Sequence, residues 1–284
     1  MKQRPFTLMT AAVCLIALTA TAGATPEFRR AEVEERSAAD GLKNVFAGIV
    51  DRADEVVWIG YAAPQIPGHR SGCGNSRSRS CVCKLEREIS SYQTSGDDAF
   101  GRFSGEMLVL YRVEDNRVER IRMFSDYCTI DADDLTVYWL TDVDPSESIA
   151  LLESFVDTER SDRRKRQDIA GGAVCAIAMH DDPGAFAALE RFVQPDRRES
   201  LRESAVFWIG ETGGAEGVKV LQRVLRDDPS TDIREHVTFA LTLSDTPEAL
   251  ETLIDAARHD HDSEVREQAI FWLSQEASEK ATDA

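Results

Sequence analysis

The sequence predicts an α+β domain built on an antiparallel sheet, followed by an all-α solenoid of short helical pairs. Two observations carry that prediction. Four segments beginning at Ile169, Leu201, Ile233 and Val265 align without a gap, so one pattern returns every 32 residues. Ahead of them, residues 107–114 and 117–125 are strongly strand-like and are separated by Asp115-Asn116, the chemistry of a tight hairpin turn.

The elements follow in chain order. Lys2 and Arg4 form a small positive start before an apolar, alanine-rich run over residues 6–20. That run is shorter than the roughly 20 apolar residues a bilayer span needs. Ala22-Gly23-Ala24 then supplies the small residues a signal peptidase inspects, so residues 1–24 read as a signal peptide cleaved after Ala24. Residues 25–144 form the α+β domain. Leu42, Val45, Phe46, Ile49 and Val50 fall at helical spacing within residues 37–53. Val56, Val57, Trp58 and Ile59 make a strand over 55–61, the hairpin comes next, and residues 136–140 add a further strand.

Residues 145–278 form the solenoid. In each 32-residue unit, apolar residues at offsets 0, 4 and 8 lie on one stripe of a first helix. Leu189, Leu221 and Leu253 mark a second helix at the same interval. Asp182-Pro183-Gly184, Gly213-Gly214 and Asp245-Thr246-Pro247 provide the turns between them. One pair cannot bury both its stripes, so consecutive pairs must stack on their neighbours. Residues 279–284 read as a disordered tail.

Four cysteines, Cys73, Cys81, Cys83 and Cys128, sit in the first domain, and Cys175 lies on the apolar face of the first repeat. An exported chain meets oxidising conditions, where thiols within reach become disulfides. Four cysteines allow three pairings. A Cys81–Cys83 ring is small and strained, which leaves Cys128 bonded to one of these and Cys73 to the other. Such bridges would tie the loop of residues 67–80 to the sheet and contribute about 2–4 kcal/mol each. A zinc ribbon requires two closely spaced pairs, and Cys73 and Cys128 are each isolated. Cys81-Val82-Cys83 lacks the spacing of a thioredoxin site, although such a pair can exchange disulfides.

The formal net charge is −18, and loss of Lys2 and Arg4 with the leader takes it to −20. Such a surface repels phosphate backbones and argues against nucleic-acid binding. The basic cluster Arg163-Arg164-Lys165-Arg166 lies among Glu159, Asp162 and Asp168, which cancel most of its field. No second apolar run follows that would span a membrane.

The loops Asp227-Asp228-Pro229-Ser230-Thr231-Asp232-Ile233-Arg234 and Asp260-His261-Asp262-Ser263-Glu264-Val265-Arg266 lead into alanine-containing helices. Over about residues 165–278 this pattern resembles the HEAT-like repeats named after phycobilisome lyases. The resemblance implies helix-capping roles for Asp232 and Asp262, and packing roles for Arg234 and Arg266. Tetratricopeptide and ankyrin repeats share the period, but their turn motifs are absent. Di-iron enzymes built on this repeat use His-Glu pairs; here Glu235-His236 has the reverse order, and no cofactor or metal is expected. His259-Asp260-His261-Asp262 reads as a capping loop rather than a ligand set. Val57-Trp58-Ile59-Gly60-Tyr61, Cys83-Lys84-Leu85-Glu86 and Trp139-Leu140-Thr141-Asp142-Val143 further resemble a group of bacterial exported HEAT-repeat proteins, which implies the layout and no activity.

Searching for catalytic patterns yields no nucleophile elbow, phosphate loop or dinucleotide fingerprint. His69 stands in a Pro/Gly turn and reads as a surface histidine. Trp208 and Trp272 share one repeat column and read as packing residues. The expected function is therefore a non-catalytic, exported interaction or scaffold protein of the periplasm or exterior. It holds a protein partner on a concave face of second helices through Arg191, Lys219, Arg223 and Asp255. The alternatives are a thiol–disulfide protein using Cys81 and Cys83, and a purely structural envelope protein.

Overall fold

The computed structural model describes residues 25–69, 82–87, 105–157, 163–244 and 246–282. Strands β1 (Phe28–Ser37), β2 (Val57–Pro64), β3 (Val82–Lys84), β4 (Glu106–Glu114), β5 (Arg117–Ser125) and β6 (Thr129–Thr141) form one sheet, with helix α1 (Leu42–Val50) between β1 and β2. Helices α2 (Pro145–Val156) and α3 (Arg163–Met179) follow. The array continues with α4 (Pro183–Phe192), α5 (Glu199–Thr212), α6 (Gly214–Asp227), α7 (Thr231–Thr242), α8 (Pro247–His259) and α9 (Ser263–Thr282).

The expected hairpin is present. Strands β4 and β5 pair antiparallel from Glu114↔Arg117 to Met107↔Ser125, and Asp115 and Asn116 both take positive φ, as the turn of a right-twisted hairpin requires. The sheet as a whole is mixed, however, in the order β1-β6-β2-β4-β5 with β3 also on β6. Strands β1, β2 and β3 all run parallel to β6. Helix α1 returns the chain so that β1 and β2 point the same way, and β6, far along the sequence, enters between them.

Strand alternation sends side chains to two cores. Ile59, Tyr61, Val109, Tyr111, Ile121 and Met123 join the core of the helices. Trp58, Leu108, Leu110, Phe124, Val137 and Trp139 form a second core on the opposite face, with Cys83, Leu85 and Cys128. With both faces buried, β2 and β4 read as continuous apolar runs rather than alternating ones.

The repeat register holds throughout the helices. Ile169, Leu201, Ile233 and Val265 are buried, as are Ala173, Ala205, Val237 and Ala269 four residues on and Leu189, Leu221 and Leu253 on the second helices. Side-chain caps start several of these helices. Asp182 Oδ1 accepts from Gly184 N at 2.7 Å and Thr246 Oγ1 from Ala249 N at 3.3 Å, each followed by proline at the first helical position. Asp245 lies outside the described residues. Asp262 Oδ1 accepts from Glu264 N at 2.9 Å, whereas the cap of α7 comes from Ser230 and not from Asp232, which sits two residues further in.

The helices sit directly on the sheet. A Cβ on Gly172 of α3 would lie 2.6 Å from Ile121 O of β5, so only glycine permits this approach. Backbone bonds add to it: Ile66 N donates to Met179 O and Asp181 N to Pro64 O, both at 3.0 Å. Helix α9 continues to Thr282. Among the described residues, no helix is long and apolar enough to cross a membrane.

Candidate functional site

Charged residues on the first helices fall into two sets, one turned inward and one outward. The inward set consists of arginines one position after the first buried column. Arg202 is buried and pairs with Asp228, while its Nε donates to Val193 O at 3.4 Å. Arg234, 1% exposed, donates through Nη1 to Asp228 O at 3.0 Å and reaches Asp260 at 3.4 Å. Arg266 Nη1 donates to Asp260 O at 2.7 Å. Each arginine thus ties its helix to the loop before it, and the first two also reach the loop 26 residues on, fixing how successive pairs stack.

The outward set lines a groove across α5, α7 and α9. A cleft of about 440 Å³ is bounded by Glu203, Asp232, Glu235, His236, Phe239, Gln268 and Trp272. Its lining rings Phe239 and Trp272 meet at 4.8 Å, and Phe207 of α5 stacks on Phe239 at 6.3 Å. Glu203, Asp232 and Glu235 make no side-chain hydrogen bond or ion pair among the described residues. Burial raises the Glu235 pKa, and the negative charges of Glu264, Asp232 and Asp262 push it further, against a smaller opposing pull from Arg234. The groove is therefore an acidic, half-apolar surface whose charges lack partners among the described residues.

The residues expected to bind a partner lie elsewhere, on the second helices. All are exposed, and each already has a neighbour: Arg191 with Glu153, Lys219 with Glu216 at 2.6 Å, Arg223 with Glu190 at 2.7 Å, and Asp255 with His259 at 2.7 Å. One of these pairs, Arg223–Glu190, bridges the consecutive second helices α6 and α4, and Arg191–Glu153 joins α4 to α2. The groove escaped sequence reasoning, although its signal is present: Glu203, Glu235 and Glu267 recur every 32 residues, as do Phe207, Phe239 and Phe271.

Among the cysteines, Cys83 and Cys128 are buried and each is disulfide-bonded. Cys73 and Cys81 lie outside the described residues. Cys175 is a free thiol whose pKa burial pushes up to about 12, leaving it unreactive. In the loop over residues 259–262, each side chain has its own contact, with His259 on Asp255, Asp260 and His261 on Arg234, and Asp262 on the start of α9.

A buried polar chain joins the sheet to the helices. His180 Nδ1 lies 2.7 Å from Ala176 O, which only accepts, so the proton sits on Nδ1 and Nε2 must accept. Ser148 therefore donates to Nε2 at 2.8 Å, Tyr61 to Ser148 at 2.8 Å, and Tyr111 to Tyr61 at 2.7 Å. Burial lowers the His180 pKa to about 4 and raises that of Tyr61 to about 12. All four side chains are at most 2% exposed, so the serine–histidine contact is sealed from substrate and serves to join the two halves.

Comparisons with known proteins bear on the helical half. The family model for HEAT repeats matches residues 186–274. The helical half has a HEAT-like fold. No curated protein matches the chain. Among solved structures, human deoxyhypusine hydroxylase in complex with glycerol is similar at 20% identity, over 44% of this chain and 42% of that one, with a TM-score of 0.36. The Escherichia coli protein YibA is similar at 16% identity, over 49% of this chain and 63% of that one, with a TM-score of 0.21. The chain thus spans less than two thirds of either structure, and the HEAT-like fold rests on the family match and on the repeat packing.

Proposed function

We propose that the chain is an exported, non-catalytic scaffold protein that holds a protein partner in the first-helix groove of its HEAT-like array. The observation that carries this reading is the make-up of the groove: Glu203, Asp232 and Glu235 stand unpaired among the described residues beside Phe239 and Trp272, whereas Arg191, Lys219 and Arg223 on the second helices are each paired with a neighbouring carboxylate. Accessible aromatic rings are enriched at surfaces completed by another molecule. Export is supported by the leader-like residues 1–24 and by the disulfide bonding of Cys83 and Cys128.

A photo-crosslinking residue placed at His236 and, separately, at Lys219 in living cells tests the reading. Capture of one defined partner from position 236 and none from 219 is expected. Specific capture only from 219 would return the binding surface to the second helices, and none from either would leave a purely structural envelope protein. Mature protein beginning at Thr25 is the expected result of N-terminal sequencing. Free, reactive thiols at Cys81 and Cys83 in the native protein would instead favour thiol–disulfide exchange.

A further inference from the structure

The groove's chemistry also restricts what fills it. Its lining rings Phe239 and Trp272 meet, Phe207 stacks on Phe239 from α5, and its rim carries the carboxylates Glu203, Asp232 and Glu235, which make no ion pair among the described residues. An apolar helix laid there would strip water from Glu203, Asp232 and Glu235 without returning a hydrogen bond, a costly exchange. An anionic partner would meet repulsion from these carboxylates and from Glu264 and Asp262 behind them. A cation over an aromatic face gains from the ring quadrupole, and the gain grows as water is excluded.

The pattern is also repetitive. Glu203 and Phe207, Glu235 and Phe239, and Glu267 and Phe271 are the same acid–aromatic pair on three successive first helices, 32 residues apart. Residues four apart share one side of a helix, so each pair presents a carboxylate next to a ring. Equivalent rings of the first two units stand 6.3 Å apart, a distance that about two residues of an extended chain cover at about 3.3 Å each.

We infer that the groove binds an extended, arginine- or lysine-rich segment of a partner protein, one cation per repeat. The assignment rests on the protein-binding reading above and names the chemistry of its ligand. Each guanidinium or ammonium covers one ring and pairs with the carboxylate beside it. Glu235, whose ionisation is disfavoured in the free groove, becomes easier to ionise once a cation arrives.

The test uses the full chain and fluorescently labelled, otherwise serine- and glycine-based peptides carrying one, two or three arginines at alternate positions. Anisotropy titration at low salt is expected to show affinity rising about three- to tenfold with each arginine. Added salt should weaken binding progressively. Glu235→Gln and Phe239→Ala should each lower affinity for the three-arginine peptide by about three- to tenfold, with unchanged circular dichroism, while Lys219→Ala leaves it as it was. Equal binding of a peptide with glutamines in place of arginines overturns the inference, as does affinity unaffected by both groove variants. Partner capture from position 236 without any arginine-peptide binding would reject the cationic ligand and leave the protein-binding reading standing. Failure of both experiments would reject both.

Discussion

The junction between sheet and helices and the groove across α5, α7 and α9 are both rich in polar groups, but they treat them in opposite ways. At the junction, Tyr111, Tyr61, Ser148 and His180 form a one-way chain ending on Ala176 O, so every hydroxyl between its ends both donates and accepts. In the groove, Glu203, Asp232 and Glu235 are left without partners among the described residues. The lesson is one of location: a buried polar group must be satisfied within the chain, while one facing solvent can be held for another molecule. Stability and binding should therefore be separable by mutation.

The largest effect is expected at the junction. Ser148→Ala leaves the Tyr61 hydroxyl without an acceptor and His180 Nε2 without a donor, and each orphaned group costs about 1–3 kcal/mol. Chemical denaturation should show a loss of about 2–5 kcal/mol, and a loss below about 1 kcal/mol would mean that the chain contributes little. Next comes the pH dependence. The folded pKa of His180 is about 4, below its ordinary value of 6.5, so between these limits the unfolded chain binds more protons and stability falls as pH is lowered. The difference is worth about 3 kcal/mol between pH 7 and pH 4. In a His180→Gln variant, that component of the profile should be absent.

The groove should behave the other way. Glu235→Gln removes a carboxylate whose charge is opposed by burial and by Glu264, Asp232 and Asp262, so stability at pH 7 should stay level or rise by less than about 1 kcal/mol while partner binding weakens. A marked loss of stability would mean that Glu235 is structural and would remove the contrast. The smallest effect belongs to the second helices. Arg223→Ala breaks an exposed pair with Glu190 and should cost under about 1 kcal/mol, less still in high salt, with no change in binding.

Much of this architecture could be read from the residues because its determinants are local or periodic. The first-helix columns at 169, 201, 233 and 265 repeat at a fixed interval, and Asp115-Asn116 specifies its turn by itself. Strand β1 was hidden because Phe28–Ser37 is largely exposed and carries Arg and Glu, the composition of a protected sheet edge rather than of an apolar run. The parallel place of β6 was hidden because its neighbours β1 and β2 lie about 100 and about 80 residues away in sequence, and no local pattern encodes a partner at that distance. The same limit concealed the chain through positions 61, 111, 148 and 180. The groove is a different case, since its glutamate and phenylalanine columns were visible, but surface columns are polar and invite less attention than buried ones.

The approach of Gly172 to Ile121 has one further consequence. A solenoid needs something polar-backed at its terminus to cover the apolar side of the first unit, usually an atypical repeat. Here the sheet supplies that cover, with Ile121 and Met123 closing over α3, where a preceding helix pair would otherwise stand. The sheet is the array's end plate. Expressed without it, residues 145–282 would expose part of the face of α3 that carries Gly172, and the isolated array should aggregate even though each remaining repeat is intact.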